Sequence, residues 1–312
     1  IKVVELKDTK KGYQLVNYGI APIPSEVIVD GAIMDSSAIV EAIKSLLAEK
    51  KIKTKDAAIS VSGHSVIIKK ITLPAMTEEE LEESIQWEAE QYIPFPIGDV
   101  NMDFHILQMA TGQPQMDVLI VAVKKEMIND YTAVMSEAGL NTVVVDVDSF
   151  ALENMYCINY DVTPEETVAL VNLGANVINI NILKGGTSTL TRDVSVGGRQ
   201  ITNEIQKHLG VSFEDAEILK CGGEVIGVDP RNLEEIVKTA SIALVTEVQR
   251  SFDFYLSATQ EGRIDKVYLS GGSSKIKGIA EAISERTGIS TEVVNPFLKI
   301  GLDKKRFDAE NL

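Results

Sequence analysis

VALVNLGAN, Val168 to Asn176, is an apolar run that ends in a glycine followed by small residues. So uniform a run reads as a strand buried on both faces, and Gly174-Ala175-Asn176 marks its turn. Small residues at a strand end leave backbone N–H groups uncovered, which suits an anion when a helix N-terminus follows. VYLSGGS, Val267 to Ser273, repeats the pattern further along the chain. Together the two turns point to a nucleotide held between them.

Around the first turn the spacing predicts a strand meander over Thr167 to Leu173, Val177 to Leu183 and Thr187 to Val194. Helices follow over Arg199 to Leu209, Phe213 to Lys220 and Asn232 to Thr259. Strand Lys266 to Leu269, helix Ile276 to Thr287 and strand Thr291 to Val294 close the half. Upstream, strands over Ile1 to Lys7 and through Gly19, a helix over Ser37 to Lys50 and a strand over Ala57 to Ser62 start in a similar way. Strand Val66 to Leu73 then leads to Thr77, which with Glu80 forms a capping box opening a helix to Tyr92 with Leu81, Ile85, Ala89 and Tyr92 on one face. Strands over Asn101 to Met109 and Asp117 to Lys124 flank a turn at Gly112 to Pro114, and helix Lys125 to Gly139 and strand Thr142 to Val147 follow. Both halves read as a meander passing into alternating helices and strands, so duplicated α/β lobes with mixed sheets are expected, and a cleft between them is where a ligand would sit.

Composition narrows the function. The 312 residues exceed one comfortable core, and 45% hydrophobic content can fill two. A net charge of -16 opposes the basic stripe that nucleic acid requires and disfavours anionic lipid. Cys157 and Cys221 have no clustering partner, so we expect small buried hydrophobes in a reducing compartment. No apolar run approaches the ~20 residues of a membrane helix, and no signal peptide opens the chain. His64, His105 and His208 lack metal-ligand spacing, and the acidic cluster from Glu78 to Glu83 reads as a solvated face favoured by the helix dipole. Trp87 falls off the Leu81, Ile85, Ala89 stripe and is expected at the core edge, an exposed anchor for a partner being the alternative.

Neither a Walker A loop nor a GxGxxG follows a strand, and Gly197-Gly198 or Gly271-Gly272 alone would be an ordinary turn. Strand, small-residue turn and helix recur at Gly174, Gly197 and Gly271, which a plain turn does not predict. LPAMTEEELEESIQWEAEQYIPFP, Leu73 to Pro96, is more discriminating. With VNMDFHIL, Val100 to Leu107, it resembles the PilM family of type IV pilus assembly proteins, within the actin-like ATPase superfamily, and the similarity runs over essentially the whole chain.

That resemblance implies an α/β, actin-like (duplicated RNase H-like) two-domain fold with a small inserted subdomain of the kind found in PilM and in the cell-division protein FtsA. Residues 1–72, 141–166 and 296–312 would form the first lobe core, 73–140 the insertion, and 167–295 the second lobe with 198–262 as its outer part. It implies ATP, with Mg²⁺ carried on the nucleotide, between the lobes. Asn172, Gly174, Ala175 and Asn176 would match a phosphate motif, and Gly197 and Gly198 a turn near the phosphates. Gly271, Gly272 and Ser273 would match the adenosine motif, with Glu217 and Lys220 framing the adenosine, although an i,i+3 pair is also an ordinary surface feature. The implied role is a cytoplasmic scaffold recruited to the inner membrane by its partner, among other pilus proteins, gripping the N-terminal cytoplasmic tail of PilN in a groove between the first lobe core and the insertion. Trp87, Tyr92 and Phe95 are candidates for that contact.

Two departures bear on the chemistry. The family's first phosphate loop would lie just before Ile1 and its last helix beyond Leu312, so the sequence is expected to be trimmed at both ends. Position 172 is Asn where the superfamily pattern has Asp, and an amide neither accepts a proton nor neutralises Mg²⁺ as a carboxylate does, which weakens hydrolysis more than binding. A small-molecule phosphotransferase on the same fold and an FtsA-like filament former are the alternatives.

Overall fold

The computed structural model describes residues 1–307 apart from 25, 30, 110–113, 260–261 and 304–305, so most of the turn expected at Gly112 to Pro114 lies outside the described residues. The chain divides into two compact units, Ile1–Val147 and Asp148–Leu312.

In the first unit, β1 (Lys2–Thr9) and β2 (Gly12–Ile20) form an antiparallel hairpin. The short pair β3 (Ile28–Val29) and β4 (Ala32–Ile33) leads to α1 (Ser36–Glu49), whose first turn is capped by the Asp35 carboxylate accepting from the Ala38 N–H at 3.0 Å. Then come β5 (Asp56–Val61), β6 (Val66–Pro74), α2 (Glu78–Glu90), β7 (Val100–Met109), β8 (Gln115–Lys124), α3 (Lys125–Glu137) and β9 (Asn141–Val147). β5 pairs with β9 in parallel, and β6-β8-β7 make a separate antiparallel sheet. The capping box forms as read: the Glu80 N–H donates to Thr77 Oγ1 at 3.2 Å and the Thr77 N–H to Glu80 Oε2 at 2.9 Å. Leu81, Ile85 and Ala89 join Ile71, Met116, Val118 and Ile120 in one core. α3, which we expected within the inserted part, instead shares a core with α1, because Val134 and Ala138 lie beside Ile39, Val40 and Ile43. The meander expected of both halves is a two-stranded hairpin in this one.

The second unit opens with α4 (Asp148–Asn159), for which no helix was read. Its apolar residues are spread around the helix, so they leave little 3.6-residue signal. It continues with β10 (Thr167–Leu173), β11 (Ile178–Lys184), β12 (Thr187–Val194), α5 (Gly198–Leu209), α6 (Phe213–Lys220), α7 (Pro230–Ala258), β13 (Lys266–Ser270), α8 (Ile279–Thr287) and β14 (Thr291–Val293). The sheet order is β12-β11-β10-β13-β14, antiparallel up to β10 and parallel beyond.

Central β10 is buried on both faces, which is why its sequence is a continuous apolar run. Ala169, Val171 and Leu173 meet Ile201, Leu244, Val248, Phe252 and Ile283 on one side. Val168 and Leu170 meet Tyr156 on the other, where its ring stacks on Tyr160, centroids 5.2 Å apart.

The two compact units divide at Val147/Asp148. α4 is tied to this sheet by Asn181 Nδ2 donating to Ser149 O at 3.0 Å, and the segment after β14 by the Asn295 N–H donating to Tyr160 Oη at 2.8 Å and the Lys299 N–H to Asn159 Oδ1 at 3.0 Å. Both cysteines are exposed, not buried. Cys157 follows buried Tyr156 and so turns about 100° away from the sheet, while Cys221 sits past the last turn of α6.

Candidate functional site

Three turns of the second unit meet at one carbonyl. Gly174 closes the β10 turn, its N–H donating to Val177 O at 3.0 Å. Its own carbonyl accepts the Gly198 N–H at 2.9 Å and Ser273 Oγ at 3.2 Å, and Ala175 O accepts the Arg199 N–H at 2.8 Å. Residues far apart in sequence, 174–176, 197–198 and 271–273, are thereby locked together.

The approach is so close that side chains are excluded. A Cβ on Gly197 would stand 2.4 Å from Ala175 O and 2.7 Å from Asn176 N, both backbone atoms that cannot yield. Gly271 has φ +84°, and a Cβ there would stand 2.5 Å from both Leu173 O and Asn172 Oδ1. Gly272, in contrast, faces open space.

One expectation changes. The N–H groups of Gly198 and Arg199, at the start of α5, are not bare but bonded to the β10 turn. What α5 offers at this end is a dipole held rigidly against the β10 turn rather than a set of uncommitted donors.

Asn172 is oriented by a ladder running across three strands. Its Nδ2 donates to Asn179 Oδ1 at 2.8 Å, and Asn179 Nδ2 donates to Asp193 Oδ1 at 2.8 Å. These residues are direct cross-strand neighbours, Asn172 opposite Asn179 and Asn179 opposite Asp193. The ladder turns Asn172 Oδ1 toward Gly271. Sequence reading missed Asn179 and Asp193, although the asparagines alternating with isoleucines in β11 were a usable signal.

Glu217 and Lys220 are brought to the same place by α6. Lys220 Nζ lies 2.5 Å from Glu217 Oε1, 2.8 Å from Thr202 Oγ1 and 3.4 Å from Gly198 O, with its side chain only 9% exposed. Thr202, unforeseen and fully buried, also bonds Glu217. A buried ammonium with three acceptors at the Gly198 turn is more than a surface i,i+3 pair. Glu217, 37% exposed, keeps part of its carboxylate open.

The partner-contact candidates separate. Trp87 is not at the core edge but 78% exposed, because two residues past buried Ile85 lies the opposite side of α2. Tyr92, expected on the apolar face with Leu81, Ile85 and Ala89, is exposed as well because α2 ends at Glu90, whereas Phe95 packs against the core of the β6-β8-β7 sheet, with the Lys124 ammonium 4.4 Å above its ring.

By fold this is an actin-like α/β protein. It is similar to the ethanolamine utilization protein EutJ from Carboxydothermus hydrogenoformans, at 16% identity and TM-score 0.55 over 92% of this chain and 76% of that one. It is also similar to MreB5 of Spiroplasma citri bound to ADP, at 12% identity and TM-score 0.51 over 93% and 77% of the two chains.

The particular family follows from the sequence itself: the model of type IV pilus assembly protein PilM matches residues 1–312, and the chain belongs to that family. A solved chain of the PilM-PilN type IV pilus biogenesis complex is 27% identical, with TM-score 0.86, over 99% of this chain and 89% of that one.

Proposed function

We propose that this protein is a nucleotide-responsive scaffold of type IV pilus assembly. ATP is held by Asn172, Gly174, Ala175, Asn176, Gly197, Gly198, Gly271, Gly272 and Ser273, and Glu217 and Lys220 border its adenosine. The observation that carries this reading is the convergence of the three turns on the Gly174 carbonyl, with side chains excluded at Gly197 and Gly271. Such a cradle lets a ligand approach the backbone closely beside the α5 dipole, and the residues present fit a nucleotide. Mg²⁺ arrives on the phosphates, where it neutralises their charge. Asn172 supplies an amide where hydrolysis needs a carboxylate, so binding outlasts turnover.

The partner is the N-terminal tail of PilN, in keeping with the complex in which the similar chain was solved. Within the first unit it lies against the β6-β8-β7 sheet and α2, where Trp87 and Tyr92 stand exposed. Among the described residues no helix is long and apolar enough to cross a membrane, which fits recruitment through such a tail. Nucleotide and tail each change the other's affinity.

Titration calorimetry tests this with ATP and a synthetic tail peptide, each alone and in the presence of the other. Tight binding of both, with a changed affinity in the double titration, supports the scaffold. Unchanged peptide affinity in W87A/Y92A/F95A removes the tail from this location, and rapid phosphate transfer to a small acceptor replaces the scaffold with a phosphotransferase.

A further inference from the structure

Charge is spread unevenly over the first unit. KDTKK, Lys7–Lys11, and KKIKTK, Lys50–Lys55, hold seven lysines and one acid in a chain whose total charge is -16. The first stretch is the end of β1 with the turn into β2, and the second is the exit from α1. Folding brings them together. The Thr54 hydroxyl donates to Glu5 Oε1 at 2.5 Å, so the α1 exit lies against the middle of β1, two residues before Lys7.

Lys7, Lys10, Lys11, Lys51, Lys53 and Lys55 are exposed, and none takes part in an ion pair among the described residues. The flanking acids are engaged elsewhere. Glu49 pairs with Lys50 at 2.8 Å, Glu5 also accepts from Asn17 Nδ2, and Asp56 accepts from Asn141 Nδ2 at 3.1 Å. Asp8 is the one acid inside the patch.

The residue types narrow the anion that such a patch meets. Residues 1–147 contain no arginine, the side chain whose fork grips a single carboxylate or phosphate. Ammonium groups on flexible stems act instead as point charges that follow a diffuse field. Tyr13, 42% exposed beside the turn, adds a ring that is apolar in body and polar at its tip, which suits the headgroup level of a bilayer.

We propose that Lys7–Lys11 and Lys50–Lys55 form a patch that rests on an anionic lipid surface, held by its field and not inserted into it. Each ammonium near such a surface strengthens binding about fivefold, and the attraction fades within a Debye length of ~10 Å. The contact is therefore weak alone and effective beside a second tether, such as the partner tail proposed above, on which it does not rest. The rest of the chain is acidic and repelled by the same field, so the patch sets which side of the first unit faces lipid.

Vesicle flotation of the whole chain, without nucleotide or tail peptide, tests this. Vesicles of phosphatidylcholine with added phosphatidylglycerol are expected to carry the chain at low ionic strength and to release it at about 0.5 M salt, while pure phosphatidylcholine carries none. K10E/K11E/K51E/K53E is expected to weaken binding by at least about tenfold. K184E/K207E/K238E/K277E, on exposed lysines of the second unit, changes the net charge equally and is expected to stay within about twofold of the parent. Should the first quadruple variant fail to fold, K11E and K53E alone are each expected to weaken binding about fivefold. Equal losses in the two quadruple variants, equal flotation on the two kinds of vesicle, or no flotation of the parent overturns the proposal. Tighter association with polyglutamate or RNA than with the vesicles also overturns it, making an acidic protein or a nucleic acid the occupant. With no tail peptide present, failure here leaves the tail site untouched, and failure of the tail site leaves this patch untouched.

Discussion

At the scale of single residues, close approach explains more of the candidate site than charge does. Gly197 has no room for a methyl group because backbone atoms stand where it would go. Gly197→Ala is therefore expected to lower stability by about 1–3 kcal/mol in urea denaturation and to abolish ATP binding in calorimetry. Gly272→Ala, facing open space, should leave stability within about 0.5 kcal/mol. Lys220→Met removes the donor shared by Glu217, Thr202 and Gly198, and is expected to cost about 1–3 kcal/mol and to weaken ATP at least tenfold. The glycines were readable from their place at strand ends. Thr202 and Asp193 were not, because each becomes a partner only when α6 or β11 is laid beside it, and nothing in local spacing shows that.

Single elements carry their own tests. The capping box of α2 predicts that Thr77→Ala lowers stability by about 1 kcal/mol, read as an earlier urea midpoint with an unchanged slope. On the β6–β8 pair, Lys70 Nζ sits 2.8 Å from Asp117 Oδ2, and that hydrogen bond, with help from Thr72, holds the Asp117 carboxyl below its ordinary 3.8 although burial pulls the other way. A pKa lower in the folded than in the unfolded chain gives stability that is complete above the unfolded value and is lost as pH falls through the folded one. The gap in stability between the parent and Asp117→Asn should therefore shrink on acidification from about pH 5 to below about pH 3. Lys70 is 45% exposed, so solvent screening keeps that gap under about 1 kcal/mol. Most elements were legible from periodicity. α4 was not, since its apolar residues are spread around the helix and only Tyr156 among them is fully buried, with Leu152 partly so.

At the scale of the whole molecule, the second unit closes its five-stranded sheet with helices on both faces and has a core of its own. A fragment of residues 148–312 is expected to melt cooperatively by circular dichroism; a broad transition without a baseline would show that it depends on the rest of the chain. The amino-acid sequence by itself determined the α/β class, the buried central strand, the glycine turns and the family, because each is written in local periodicity or in a contiguous motif. Only the tertiary structure decided that α4 and the segment after β14 belong with the second unit, that Trp87 points outward, and that Gly174, Gly198 and Ser273 share one carbonyl. Those outcomes depend on which surfaces meet once the chain is folded, and hydrogen bonds between residues a hundred positions apart, as between Ser273 and Gly174 (separation 99), leave no trace in the spacing around either one.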